Sequence, residues 1–387
     1  MILNGVSLLM KKAFFYLFFF LFIFNFCFAE TAKPSVNATS AIAIDSNSGR
    51  ILYEKNAFSK KPMASTTKIM TILVAVENNS LDEIVTISKK AANTGGSSAH
   101  LVAGKKIKLS ELLYGLMLKS GNDAAVALAE HTSGSVEEFA KLMNEKAVEI
   151  GALNTNFVTP HGLDTTNHYS TAYDMAIIAA YALKNPIISK IVSTAERTMY
   201  FEDGSSVYLN NTNKLLSLYN GANGVKTGYT GMAGKCLIGS ATRENWQVIT
   251  VVFGEPSSSS RINDTVKLLD YCFDNYDLLD LSTLYKLDFK INVEKGKKNS
   301  IVPIYNSSLI LPITAKEKKA ITIRKSYSKE LVAPIAKSQL IGKIDFMLND
   351  ILLGTIQLVS DEYIERLNYK DYYNKLLNNF LTAKYLY

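Results

Sequence analysis

The chain is poor in the side chains that build metal and redox centres: its 387 residues include three cysteines, four histidines and one tryptophan. His100, His131, His161 and His168 are scattered, and no Cys/His cluster with ligand spacing occurs, so no metal and no cofactor is expected. Cys27 falls in an N-terminal apolar stretch. That leaves Cys236 in strand-like and Cys272 in helix-like sequence, and two such thiols in apolar surroundings are expected to stay unpaired. A dense stripe of one charge is also lacking. The formal net charge of +7 comes without interleaved aromatics, which excludes a nucleic-acid partner and suits an anionic envelope surface. With 48% hydrophobic and 20% charged residues, the composition is ordinary for a globular chain long enough for two domains.

Long hydrophobic runs are absent with one exception. Lys11 and Lys12 precede a run from Ala13 to Phe28 that is apolar except for Asn25, and Cys27-Phe28-Ala29 places a small residue at a cleavage point. This is the pattern of a secretory signal over residues 1–29, with Met10 as a natural start before the lysine pair. The run is slightly short for a membrane span, and an uncleaved anchor is the other reading. Both readings put the remainder outside the cytoplasm, on the periplasmic or extracytoplasmic face of the membrane.

Beyond a polar linker, Ala41 to Asp45 and Arg50 to Glu54 alternate around Ser46-Asn47-Ser48-Gly49, which predicts a β-hairpin. Helical periodicity follows over Ser65–Val76, Ser110–Lys119, Asp123–His131, Val136–Ile150 and Thr171–Leu183. Ser110 and Ser135 stand where N-caps belong, and Gly134 and Gly151 where helices stop. Strand patterns return at Thr198–Phe201, Val207–Leu209, Gly224–Thr230, Lys235–Ala241 and Gln247–Phe253, and a helix over Arg261–Asp274 closes the first part. Helical sequence inserted between sheet-forming ends gives an α+β class with two lobes and a cleft.

From about Leu281 to Val359 short alternations between Lys-rich turns (Glu294 to Lys298, Lys316 to Lys319) predict a small β-sandwich. In the tail, Tyr369, Tyr372, Tyr373, Leu376, Leu377, Phe380 and Ala383 share one helical face opposite a modestly basic polar one. That suits a helix lying in a membrane interface, and a helix packed on the protein's own surface is the alternative. The expected segments are thus 1–29 signal, 30–278 first domain, 281–360 β-rich domain and 361–387 amphipathic helix.

Three short motifs occur in one order. Ser65-Thr66-Thr67-Lys68 is an S-x-x-K opening a helix, where three residues make about one turn and bring hydroxyl and amine to one face. An amine serves as base toward a serine only if burial or nearby cations lower its pKa. Ser120-Gly121-Asn122 is an S-x-N at a helix break, where the amide can orient a substrate carbonyl or hold the lysine. Lys226-Thr227-Gly228 is a K-T-G on a strand, its glycine leaving room for a substrate backbone. Each alone is common: a solvated helix face, a plain junction, a chance tripeptide. All three in this order in an exported chain carry weight together.

With the further stretches Ser120 to Ala129, Pro160-His161-Gly162-Leu163, Ser170 to Met175 and Gly224 to Gly231, the chain resembles the D-alanyl-D-alanine carboxypeptidases among the low-molecular-mass penicillin-binding proteins, the S11 serine peptidases. The resemblance implies a penicillin-binding/β-lactamase-like transpeptidase fold, antiparallel sheet plus helical lobe, followed by the β-rich domain and the anchoring helix. It implies peptidoglycan stem peptides and β-lactams as partners, with the membrane surface engaged through the C-terminal helix. By the same resemblance Ser65 is acylated, Lys68 takes its proton and Ser120 passes a proton to the leaving D-alanine. Asn122 holds the substrate amide, Lys226 supplies positive potential for a carboxylate, Thr227 a hydrogen bond, and the N–H groups of Ser65 and Tyr229 an oxyanion hole. Arg261 stands where the family has a carboxylate-reading arginine, a surface arginine being the other reading. Some relatives have histidine in place of Tyr229, a change that keeps the backbone donor.

Three other readings are weaker. A catalytic triad through His161 duplicates the base that Lys68 already supplies. A class A β-lactamase needs an E-x-x-L-N glutamate, and Glu149 precedes Leu153-Asn154 by one residue too many. A noncatalytic wall-binding or β-lactam-sensing module would tolerate loss of Ser65, Lys68, Ser120 or Lys226, and all are present.

Overall fold

The computed structural model describes residues 32–383, with side chains to 378. The expected signal, Met10 and Cys27, and the side chains of Phe380 and Ala383, lie outside the described residues.

The chain enters through the predicted hairpin of β1 (Ser40–Asp45) and β2 (Ile51–Lys55), its turn held by the Asp45 carboxylate, which accepts from Ser48 N at 2.7 Å. A 3-10 turn (Ala64–Thr67) leads into α1 (Lys68–Asn78). A small hairpin of β3 (Ile84–Thr86) and β4 (Lys106–Lys108) encloses the short α2 (Lys89–Ala92). The helical lobe continues with α3 (Leu109–Leu118), α4 (Asn122–Ser133), α5 (Val136–Ile150), α6 (Ala172–Leu183) and α7 (Pro186–Ser193). Then come a second separate hairpin, β5 (Glu196–Tyr200) with β6 (Ser206–Asn210), and the short α8 (Leu215–Leu218). Strands β7 (Ala222–Thr230), β8 (Gly234–Arg243) and β9 (Trp246–Glu255) and helix α9 (Ser258–Asn275) complete the first part.

Strands β7 to β9 join the first hairpin in a five-stranded antiparallel sheet of order β2-β1-β9-β8-β7. Alternation along each strand feeds two cores. Ile42, Ile44, Ile249, Val251 and Phe253 face the helical lobe, while Ala41, Ala43, Val248 and Val252 face α9 with Leu268 and Leu269. Burying one side chain of this size contributes about 1.5–3 kcal/mol, so a sheet covered on both faces is a rigid platform. Cys236 lies in the first core and Cys272 in the second, on opposite faces of the sheet. Helix α1 is buried from Lys68 to Ala75 and runs through the middle of the lobe.

Gly134 and Gly151 end α4 and α5 in the left-handed conformation, and Ser135 and Thr171 cap α5 and α6. Ser110 does not cap α3. Strand β4 runs straight into that helix, and the first free N–H groups, of Leu109 and Ser110, donate to Glu83 O and Leu81 O at 2.8 and 3.0 Å, so no side-chain cap is needed.

In the C-terminal part, β10 (Tyr276–Asp280) pairs with β14 (Ile310–Thr314). β11 (Ile291–Glu294), β12 (Ser300–Ile301) and β16 (Glu330–Val332) form one small sheet. β13 (Ile304–Tyr305), β15 (Ile321–Tyr327), β17 (Leu340–Leu348) and β18 (Ile351–Val359) form another. Two separate small cores result, around Phe346 and around Ile335, and Ile364 is buried in the second, so the ordered part runs on past residue 360. The Lys316–Lys319 stretch, expected as a turn, is the helix α10 (Ala315–Ala320), started by a capping box between Thr314 and Glu317. The final helix, α11 (Tyr369–Ala383), leaves Tyr369, Tyr373 and Leu376 exposed.

Candidate active site

Ser65 lies in the 3-10 turn, not in the α-helix proper, which begins at Lys68. In a 3-10 turn residues i and i+3 eclipse, so the two side chains stand one above the other more directly than α-helical spacing would place them. Lys68 Nζ is 2.9 Å from Ser65 Oγ.

Lys68 is fully buried, and among the described residues no carboxylate pairs with it. Its Nζ donates to Asn122 Oδ1 at 2.7 Å and to the backbone oxygen of His161 at 2.8 Å. Those acceptors use both N–H bonds of a neutral amine and leave its lone pair facing Ser65 Oγ. Burial holds Lys68 well below the usual lysine range, the positive charge of Lys226 adds to the depression, and Asp123 opposes it. A neutral amine in this place can take the serine proton.

Asn122 opens α4 and is nearly used up by the protein itself: Oδ1 faces Lys68, and Nδ2 donates to Gly95 O at 2.7 Å. Of the two options read from S-x-N, the geometry contains the lysine-holding one, with a second Nδ2 hydrogen left over. Ser120 precedes it at φ +59, buried, with an Oγ that has no hydrogen-bond partner among the described residues. A residue that sequence reasoning missed holds this junction. The fully buried Asp123 carboxylate accepts from Ala99 N at 2.9 Å, Leu101 N at 3.1 Å and Ser98 Oγ at 2.6 Å, pinning the 95–101 loop beside Asn122. An acidic residue in the first turn of a helix was the available signal.

The K-T-G sequence lies on β7, the edge strand of the sheet. Lys226 is buried, its Nζ donating to Thr227 O at 2.9 Å, and Thr227 Oγ1 is 2.8 Å from Thr212 Oγ1. Burial lowers the Lys226 pKa to about 7, with the Arg261 guanidinium adding to the effect. A Cβ on Gly228 would stand 3.0 Å from Ser65 N and 3.0 Å from Ala64 Cβ. The close neighbour of that glycine is therefore the serine's own turn, not only a substrate backbone. Tyr229 is exposed, with Lys235 Nζ over its ring. Arg261 is partly buried against the strand, its guanidinium donating to Gly228 O at 3.2 Å and Cys236 O at 3.4 Å.

His161 enters through its carbonyl. Its ring Nδ1 accepts from Leu163 N at 3.2 Å, and burial lowers its pKa to about 4, with the charges of Lys68 and His168 adding. Glu149 is on the solvent side of α5, accepting from Lys146 Nζ at 2.7 Å.

A family model described as D-alanyl-D-alanine carboxypeptidase, the S11 peptidases, matches residues 28–257, more than half of the chain. The chain belongs to that family. A second model, the C-terminal domain of penicillin-binding protein 5, matches residues 280–366. Among curated S11 relatives, D-alanyl-D-alanine carboxypeptidase DacF of Bacillus subtilis is 35% identical over 92% of this chain and 92% of its own length. DacC of Escherichia coli is 34% identical over 88% and 89%. Among solved structures, penicillin-binding protein 5 of Haemophilus influenzae superposes with a TM-score of 0.74 at 33% identity, over 87% of this chain and all of that one. The Streptomyces K15 DD-transpeptidase superposes on 63% of this chain and 99% of its own, at 38% identity and a TM-score of 0.60. The α+β fold and the S11 membership read from the motifs agree with these matches.

Proposed function

We propose that this S11 protein is a serine D-Ala-D-Ala carboxypeptidase that acts on peptidoglycan stem peptides through a Ser65 acyl-enzyme and is acylated by β-lactams at the same residue. The observation that carries the residue assignment is the setting of Lys68: buried, bonded to no carboxylate among the described residues, its two donors used and its free side at Ser65 Oγ.

Lys68 Nζ takes the hydroxyl proton as Ser65 Oγ attacks the carbonyl carbon of the terminal D-Ala-D-Ala bond. The oxygen that gains the charge is met by the N–H groups of Ser65 and Tyr229. The free edge of β7 aligns the peptide, its carboxylate drawn by the positive potential of Lys226 and Arg261 and bonded by Thr227. Ser120, whose Oγ has no hydrogen-bond partner among the described residues, gives its proton to the leaving D-alanine nitrogen and takes in exchange the one held on Lys68, and Asn122 holds Lys68 while its spare N–H reaches the substrate amide. Water then attacks the acyl-enzyme, losing a proton as Ser65 regains one. Glu149, exposed to solvent and paired with Lys146, is not set to drive deacylation in the manner of a β-lactamase.

The test is to incubate the protein without its first 29 residues with a labelled penicillin and with a D-Ala-D-Ala peptide. D-alanine release and a label mapped by mass spectrometry to Ser65 are expected. Label on another residue overturns the nucleophile assignment, and label without D-alanine release overturns the carboxypeptidase reading.

The proposed location is the extracytoplasmic face of the membrane, with α11 as a peripheral anchor. The support is its exposed face, Tyr369, Tyr372, Tyr373, Leu376 and Leu377, which the protein leaves uncovered. No helix among the described residues is by itself long and apolar enough to cross a membrane. A variant ending before Tyr369 is expected to stay in the supernatant when sedimented with anionic lipid vesicles that carry down the full chain. Equal pelleting of both overturns the anchor.

A further inference from the structure

The turn that carries Ser65 is held from behind by a residue outside the proposed chemistry. His168 is buried, and its Nδ1 accepts from Val158 N at 3.0 Å. A backbone N–H can only donate, so the ring proton sits on Nε2. That nitrogen is 2.9 Å from Thr67 Oγ1 and donates to it, which leaves the Thr67 hydroxyl proton for Ala64 O at 2.8 Å. Three bonds therefore run in one direction, from the 158–169 segment through His168 and Thr67 to Ala64.

Ala64 immediately precedes the nucleophile and sits at φ +48, a conformation that an L side chain adopts only under local constraint. The constraint comes from the same segment. A Cβ on Gly162 would stand 2.0 Å from Ala64 O, so the segment lies directly against the turn. Pro160 O accepts from Thr71 Oγ1 at 2.5 Å, and His161 O receives Lys68 Nζ at 2.8 Å. His161 O also accepts from Ser65 Oγ at 3.4 Å, so one strap touches both members of the Ser65–Lys68 pair.

We propose that His168 is a positioning residue for Ser65: by donating through Thr67 to Ala64 it fixes the 3-10 turn so that Oγ stays within reach of Lys68 Nζ. The inference rests on the reading of Ser65 as nucleophile. Burial and the nearby Lys68 charge, only partly opposed by Asp164, lower the His168 pKa to about 4, so the donating tautomer persists over the neutral range. His161, on the same strap, is also neutral there.

The experiment is stopped-flow acylation by a fluorescent penicillin, separating the initial dissociation constant from the acylation rate constant. The variants are Thr67→Val, Thr67→Ser, His168→Ala and the double Thr67→Val/His168→Ala. Thr67→Val keeps the buried volume and removes the link. It is expected to lower the acylation rate constant about 10- to 100-fold, the scale of a small misplacement of reacting atoms, with the initial dissociation constant unchanged. Thr67→Ser is expected to restore most of the rate, and the double variant to be no slower than the slower single one, because both break one chain.

Acylation of Thr67→Val at the wild-type rate, a loss confined to the dissociation constant, or losses that multiply in the double variant would each overturn the proposal. If His168→Ala does not fold, the two Thr67 variants decide alone. Wild-type label mapping away from Ser65 would sink the nucleophile reading instead, which keeps the two failures distinct.

Discussion

Lys68→Met is expected to lower the acylation rate of Ser65 about 10²- to 10⁴-fold, the range in which a positioned general base contributes, without unfolding the protein. Methionine nearly matches the length of the lysine stem and removes the amine. It leaves Asn122 Oδ1 and His161 O without their donor, which costs some stability. It also removes an amine whose burial is the main cause of its lowered pKa, which returns some. Melting temperature is thus expected to move little while chemistry collapses, and stopped-flow labelling beside thermal unfolding separates the two. Lys68→Arg makes the contrast sharper, since it keeps a cation in the site and supplies no lone pair at neutral pH. Acylation of Lys68→Met within tenfold of the wild type would mean that the serine proton leaves by another route.

The parts of the site that were legible in the sequence are those that local spacing controls. Ser65 and Lys68 are one turn apart in any helical form, and the order of S-x-x-K, S-x-N and K-T-G needs no coordinates. What makes Lys68 a base is not local. Asn122 and the carbonyl of His161 arrive from positions 54 and 93 residues along the chain, and a backbone oxygen has no sequence signature at all. The same holds for His168, whose partner Thr67 lies 101 residues away. Polar residues buried at a junction bond to whatever the fold brings, so a scattered histidine looks alike in sequence whether it braces a site or decorates a surface. The Lys316–Lys319 stretch was a different failure. The T-x-x-E signal of Thr314 and Glu317 was present and local, but four charged residues in a row read more strongly as a turn. Ser110 erred the other way, a good cap residue at a helix start where Glu83 O and Leu81 O already serve the free N–H groups.

Lys226→Met is expected to cut kcat/KM for D-alanine release about 10²- to 10³-fold, as truncation of a desolvated charged group facing an anion does, and to stabilise the free protein. Both effects follow from one fact: Lys226 is fully buried, and its pKa is lowered to about 7 by burial and by Arg261. In the unfolded chain a lysine titrates near 10.4. Between these values the unfolded state binds the extra proton, so wild-type stability rises with pH across that window and is depressed below it. Lys226→Met lacks that penalty. Its advantage, on the order of a few kcal/mol by linkage, is expected to be largest at and below pH 7 and to close toward pH 10. A substrate carboxylate reverses the balance, because an anion beside Nζ favours its charged form and draws the proton back onto it. Affinity of the free enzyme for an anionic ligand therefore falls as pH rises through about 7, and above that pH binding takes up a proton. Titration calorimetry of Ser65→Ala with a penicillin, in buffers of different ionisation enthalpy, measures that uptake without covalent chemistry. The uptake is expected in Ser65→Ala and absent from Ser65→Ala/Lys226→Met. Equal uptake in both would move the titrating group away from Lys226.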